Sequence, residues 1–136
     1  MLKKPITYTD YNGMERTEYF YFNLTKAELA EMELSVDGGY AEMAQRIADT
    51  KNGPELIKIF KELILKAYGE KSLDGRQFMK VDEKGNPLSI GFSQTEAYSQ
   101  LFMELATDAN AASEFFMGII PPDLSEQVKG SIPSIN

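Results

Sequence analysis

The residues best equipped for chemistry in this 136-residue chain are its carboxylates, because histidine and cysteine are both absent. Without imidazole there is no Ser/His/Asp arrangement, and the usual zinc and copper ligands are missing. Without a thiol there is no thiolate nucleophile and no disulfide framework. Asp82-Glu83, with Asp74 eight residues earlier, raises the question of a calcium loop. Such a loop needs oxygen ligands at alternating positions, a central glycine and a terminal Glu. Lys71-Ser72-Leu73-Asp74-Gly75-Arg76 does not supply them, and a solvated loop is the better reading. Glu28, Glu31 and Glu42 fall on helical stretches at positions complementary to the apolar ones, which marks solvent faces. A carboxylate-pair hydrolase also needs a substrate cleft, which a domain this small rarely offers. Gly38-Gly39 lacks the spacing of a phosphate-binding loop. The expectation is therefore no catalytic set, no cofactor and no metal.

Aromatic residues offer a second kind of site. Tyr8, Tyr11, Tyr19 and Tyr21 crowd the first 22 residues and could form a stacking platform for single-stranded nucleic acid. Only Arg16 accompanies them as a basic group inside the strands, and the chain carries a net charge of −7 with a pI near 4.6. A nucleic-acid or anionic-membrane binder would show the opposite balance. A half-buried hairpin explains the same tyrosines. No run approaches the ~18 apolar residues of a membrane span, and Met-Leu-Lys-Lys-Pro does not begin a signal peptide. The composition suits one intracellular domain.

The elements that must position these groups follow from punctuation and period. Ile6–Thr9 and Thr17–Phe22 flank Asn12-Gly13, the dipeptide of a two-residue type I′ hairpin turn. That loop length sets Thr9 opposite Arg16 and Ile6 opposite Tyr19. Ile6, Tyr8, Tyr19 and Tyr21 then share one face, with Phe20 and Phe22 on the other. Thr25-Lys26-Ala27-Glu28 is a capping-box sequence opening a helix to about Leu34. Further helices are expected over Tyr40–Asp49 and Glu55–Tyr68, from Ser93-Gln94-Thr95-Glu96 onward, and from Thr107-Asp108 to Pro121-Pro122. Glu55–Tyr68 is the most apolar and reads as the central helix. Residues 70–91 are rich in turn signals, with room for a small second hairpin. The fold class is thus α+β, mainly α: a hairpin over 5–22 packed on about five helices in a single domain, residues 1–122. Residues 123–136 form a flexible tail.

One asymmetry bears on partners. Between Lys84 and Lys129 there is no Lys or Arg, while Glu96, Glu104, Asp108, Glu114, Asp123 and Glu126 all fall there. The last helix carries Ala111, Ala112, Phe115, Phe116, Ile119 and Ile120 as one stripe, which is either core or a docking face. In the docking reading Phe116, Ile119 and Ile120 stay partly available to a client or a second copy. Glu104, Asp108 and Glu114 flank that contact.

Three segments resemble a known family: the hairpin with the run Tyr19–Leu29 that completes and follows it, Lys61–Ser72, and Phe92–Tyr98. Together they are similar to the tail assembly chaperones of long-tailed bacteriophages and prophages of Gram-positive bacteria. The resemblance runs over about residues 5–122, on structural rather than catalytic motifs. It implies non-enzymatic work in the host bacterial cytoplasm. Such a protein coats the long, apolar, helical tape-measure protein and keeps it soluble while tail-tube subunits polymerise. It also implies the major tail protein as a further candidate partner, homo-oligomers as an option, and a frameshifted longer form in many such phages. The alternative is a structural tail-completion or connector subunit of the virion, and a small carboxylate-dependent hydrolase comes third.

Overall fold

The computed structural model describes residues 1–35 and 53–122. Strands β1 (Leu2–Thr9) and β2 (Glu15–Phe22) pair antiparallel, with Leu2 opposite Phe22, Ile6 opposite Glu18 and Thr9 opposite Glu15. The loop between them holds three residues, not two. Gly13 N–H donates to the Asp10 carbonyl at 3.0 Å, Asp10 N–H donates to the Met14 carbonyl at 2.8 Å, and Gly13 has φ +81°. This is a type I turn closed by a left-handed glycine. Asp10 makes it the favoured option, because its Oδ1 accepts both the Asn12 and the Met14 N–H at 2.9 Å.

That single extra residue overturns the expected strand faces, since a slip of one moves every side chain of a strand to the opposite face. Phe20 and Phe22 join Leu2, Ile6 and Tyr8 towards the core, and Phe22 is fully buried. Tyr19 and Tyr21 share the outer face with Lys3, whose ammonium lies 4.5 Å from the Tyr19 ring centre. Ile6 sits opposite Glu18, not Tyr19.

Helix α1 (Lys26–Ser35) begins at the capping box read from the sequence. Glu28 N–H donates to Thr25 Oγ1 at 3.1 Å, and Thr25 N–H donates to Glu28 Oε1 at 2.9 Å. The helix expected over Tyr40–Asp49 lies outside the described residues, as does the tail from 123 onward. Helix α2 (Gly53–Ala67) buries Ile59, Phe60, Leu63, Ile64 and Ala67 and hands the chain directly to strand β3 (Tyr68–Lys71). Strand β4 (Phe78–Met79) folds back on β3, so the sheet order is β1-β2-β3-β4, antiparallel throughout. The small second hairpin therefore forms. Gly69 is required there by close approach: a Cβ would come within 2.7 Å of the Met79 carbonyl oxygen.

Three helices complete the described chain: α3 (Leu88–Ser93), α4 (Glu96–Thr107) and α5 (Ala109–Ile119). The short α3 has no counterpart among the expected helices, so the five described helices are not the same five. It also displaces the expected cap, since Ser93 ends α3 and Thr95 accepts the Tyr98 N–H at the start of α4. Asp108 caps α5 through the Asn110 and Ala111 N–H groups. Among the described residues α4, rather than α2, packs against the most elements, with Met103 and Glu104 on its solvent face. It lies on β1 and against α2, α3 and α5, with Ala97, Leu101 and Leu105 buried. The aromatic centre is Phe92 of α3, which stacks on Tyr68 at 4.3 Å and meets Phe20, Phe22 and Tyr98. The architecture is α+β, a four-stranded antiparallel sheet with its N-terminal hairpin packed on helices.

Candidate functional site

Of the carboxylates considered for chemistry, Asp74, Asp82 and Glu28 hold turns, a cap and a tertiary tie, while Glu42 lies outside the described residues. Asp82 repeats the Asp10 device: its Oδ1 accepts the Lys84 N–H at 2.8 Å and the Asn86 N–H at 2.9 Å, and Gly85 closes the turn with φ +82°. Asp74 Oδ1 accepts the Arg76 N–H and the Ser72 hydroxyl. All three carboxyls are held below the usual range for Asp. At Asp10 the chief cause is the Arg16 guanidinium 2.6 Å away, at Asp74 the Arg76 N–H, and at Asp82 the Asn86 N–H. Asx hydrogen bonds of this kind, one loop at a time, do not gather ligands around a common point. Among the described residues no group of three or more acidic side chains could hold a metal ion.

Glu28 serves a tertiary purpose as well as its cap. Lys80, just after β4, places its ammonium 3.0 Å from Glu28 Oε2, 2.9 Å from the Asn23 carbonyl and 2.6 Å from the Lys66 carbonyl. One cation thus joins the exit of β2, the start of α1 and the last turn of α2, where orphan carbonyls and the helix dipole favour positive charge. Burial pushes the Glu28 carboxyl up, but the Thr25 N–H and Lys80 together outweigh it and leave the carboxyl lowered. Sequence reasoning missed Lys80 altogether. A lysine between Met79 and Val81 in a turn-rich stretch carries no local signal.

The hairpin tyrosines do not make a common platform. Tyr8 is buried on the core face, where its hydroxyl donates to Glu18, and that hydrogen bond is the main reason its pKa is raised. Tyr11 projects from the turn, 77% exposed. Tyr19 and Tyr21 line an open cleft of about 430 Å³ at the fork where β3 leaves β2. Its other walls include Glu18, Phe20, Tyr68, Glu70, Lys71 and Met79.

The partial availability expected for the end of the last helix is not observed. Phe116, Ile119 and Ile120 are 2%, 0% and 2% exposed, so none is partly available. The reason is tertiary: the Ile119 carbonyl accepts the Leu24 N–H at 2.7 Å, and Phe115 packs edge-on against Phe22. The helix end is thereby clamped to the exit of the hairpin. The flanking acidic residues do lie at the surface. Glu104 pairs with Lys4 of β1 at 3.2 Å, Asp108 caps α5, and Glu114 is exposed.

The fold and its surface define a small α+β protein in which Asp10, Asp74, Asp82 and Asp108 hold turns and caps, and Glu28 and Lys80 tie distant segments together. A family model described as phage tail assembly chaperone matches residues 1–134, and the chain belongs to that family. No curated protein and no solved structure gave a significant match. The chain's role is accordingly in phage tail assembly, with tail proteins as its partners. Among the described residues no helix is long and apolar enough to cross a membrane.

Proposed function

We propose that this chain binds the tape-measure protein of a long-tailed phage in the cytoplasm of a Gram-positive host. There it keeps that client soluble until tail-tube subunits enclose it. The work is non-enzymatic, and the major tail protein is the second partner. The observation that carries this reading is the family match over nearly the whole chain. The distribution of charge supports it: every charged residue between Lys84 and Lys129 is acidic, which disfavours indiscriminate aggregation by like-charge repulsion. In this reading Glu104, Asp108 and Glu114 form the acidic side of the contact. Phe116, Ile119 and Ile120 reach the client only when α5 lifts from the hairpin.

Co-expression tests the proposal directly. The tape-measure protein of the same phage should move from the pellet to the soluble fraction when this chain is present, and the two should co-purify. A tape-measure protein equally insoluble with and without the chain refutes it. Mass spectrometry of purified particles adds the other arm: a chaperone should be missing from the virion. Detection in a fixed copy number would make the chain a structural tail subunit.

A further inference from the structure

We infer that two copies of this chain associate through the open edge of β2, in an antiparallel register centred on Thr17. Strand β3 pairs with β2 only at Tyr21–Gly69 and Phe22–Tyr68. Among the described residues no strand covers that side of Glu15–Phe20. Backbone groups alternate sides along a strand. Asn23 N–H donates to the last residue of α2, Ala67, and the Met14 carbonyl accepts from Asp10 N–H just beyond β1, so the odd-numbered residues Glu15, Thr17 and Tyr19 point their N–H and C=O groups away from β1. This is a ladder half built.

The side chains along that edge are self-complementary. With Thr17 opposite its own symmetry mate, Arg16 of each copy lies opposite Glu18 of the other, and Glu15 lies opposite Tyr19. Within one chain Arg16 already bonds Asp10 at 2.6 Å and approaches Glu18 at 3.7 Å. Both side chains stay about half exposed, at 50% and 44%, and both have capacity for a second partner. The two-fold therefore brings opposite charges into register twice, where many other registers would oppose like charges. The same register sets Met14, 62% exposed, opposite Phe20, and carries the turn with Tyr11 towards the cleft where β3 departs. An exposed apolar turn and an open cleft thus meet across the axis. Those matched features single out a second copy of this chain as the occupant.

Light scattering over a dilution series is the test. The wild-type chain should show a mass near twice 15.3 kDa at high concentration and fall towards one chain on dilution. Thr17→Pro removes a backbone donor that faces the open edge and no backbone bond to β1, a placement proline tolerates in strands, and on the β1 side it gives up only the exposed hydroxyl pair between Thr17 and Thr7. It should keep the thermal melt and weaken association about tenfold or more. Arg16→Glu and Glu18→Arg should each stay monomeric alone, yet form a heterodimer when mixed, because each then supplies the charges the other lacks. A one-chain mass at every concentration overturns the inference, even if Thr17 becomes protected from exchange on adding another tail protein. A dimer that survives Thr17→Pro, or charge variants that fail to rescue each other while both remain folded, overturns it as well.

Discussion

Replacing Lys80 by Met probes the tertiary tie that no sequence motif announced. The substitution keeps the length of the apolar stem and removes the ammonium from three acceptors at 2.6, 2.9 and 3.0 Å. Hydrogen bonds to a charged group are worth about 1.5–3 kcal/mol each in favourable cases. Lys80 and Glu28 keep 26% and 25% of their side-chain surface in water, so solvent replaces part of what is lost and the ion pair itself counts for about 1 kcal/mol or less. The two carbonyls add roughly 1 kcal/mol apiece, giving a total near 2–3 kcal/mol. In a chain of 136 residues that lowers Tm by about 10 °C in circular-dichroism melts at pH 7. The pH dependence carries the sign. Glu28 has a folded pKa below its ordinary value of 4.5, so its stabilisation is present above that pH and is lost as pH falls through the lowered folded value. The gap between wild type and Lys80→Met should therefore narrow in acid. A variant melting within about 2 °C of wild type at pH 7, or a gap that widens in acid, would refute the reasoning.

Three further outcomes follow from the packing. Gly13→Val places a branched side chain at φ +81° and should cost about 1–2 kcal/mol, read from the urea midpoint, while Asn12→Gly should shift it little. Phe92→Ala removes the ring shared by Phe20, Phe22, Tyr68 and Tyr98 and should cost about 3–5 kcal/mol, measured by chemical denaturation. Ile120→Asp buries a carboxylate at a position 2% exposed and should abolish the cooperative melt; a variant that melts like wild type would restore Ile120 to the surface.

What the sequence determined by itself is local. The Thr25–Glu28 box, the Asp108 cap, the α2 stripe and the hairpin are each decided within a few residues, by one side-chain oxygen or one period of apolar groups. The absence of histidine and cysteine likewise removed whole classes of chemistry before any fold was drawn. The hairpin register stands at the border. Asn-Gly signals a two-residue turn, but Asp10 three residues before the glycine offers the competing type I arrangement, and its two backbone hydrogen bonds prevail. Asp82–Gly85 shows the same spacing and the same outcome, so the Asp three residues before the glycine is a signal the chain itself carries. Only the tertiary structure decided the fate of surfaces. An amphipathic stripe on a terminal helix reads the same whether it is covered or free, and here the Leu24 N–H and Phe22 cover it. Lys80 is chosen as a tie only because distant segments bring three acceptors to one point. Among the described residues the edge of β2 is left without a partner strand because β3 turns away after Gly69 to pair with β4, a matter of backbone path between segments far apart in sequence. Burial and pairing depend on what arrives from elsewhere in the chain, and no window of neighbouring residues encodes that.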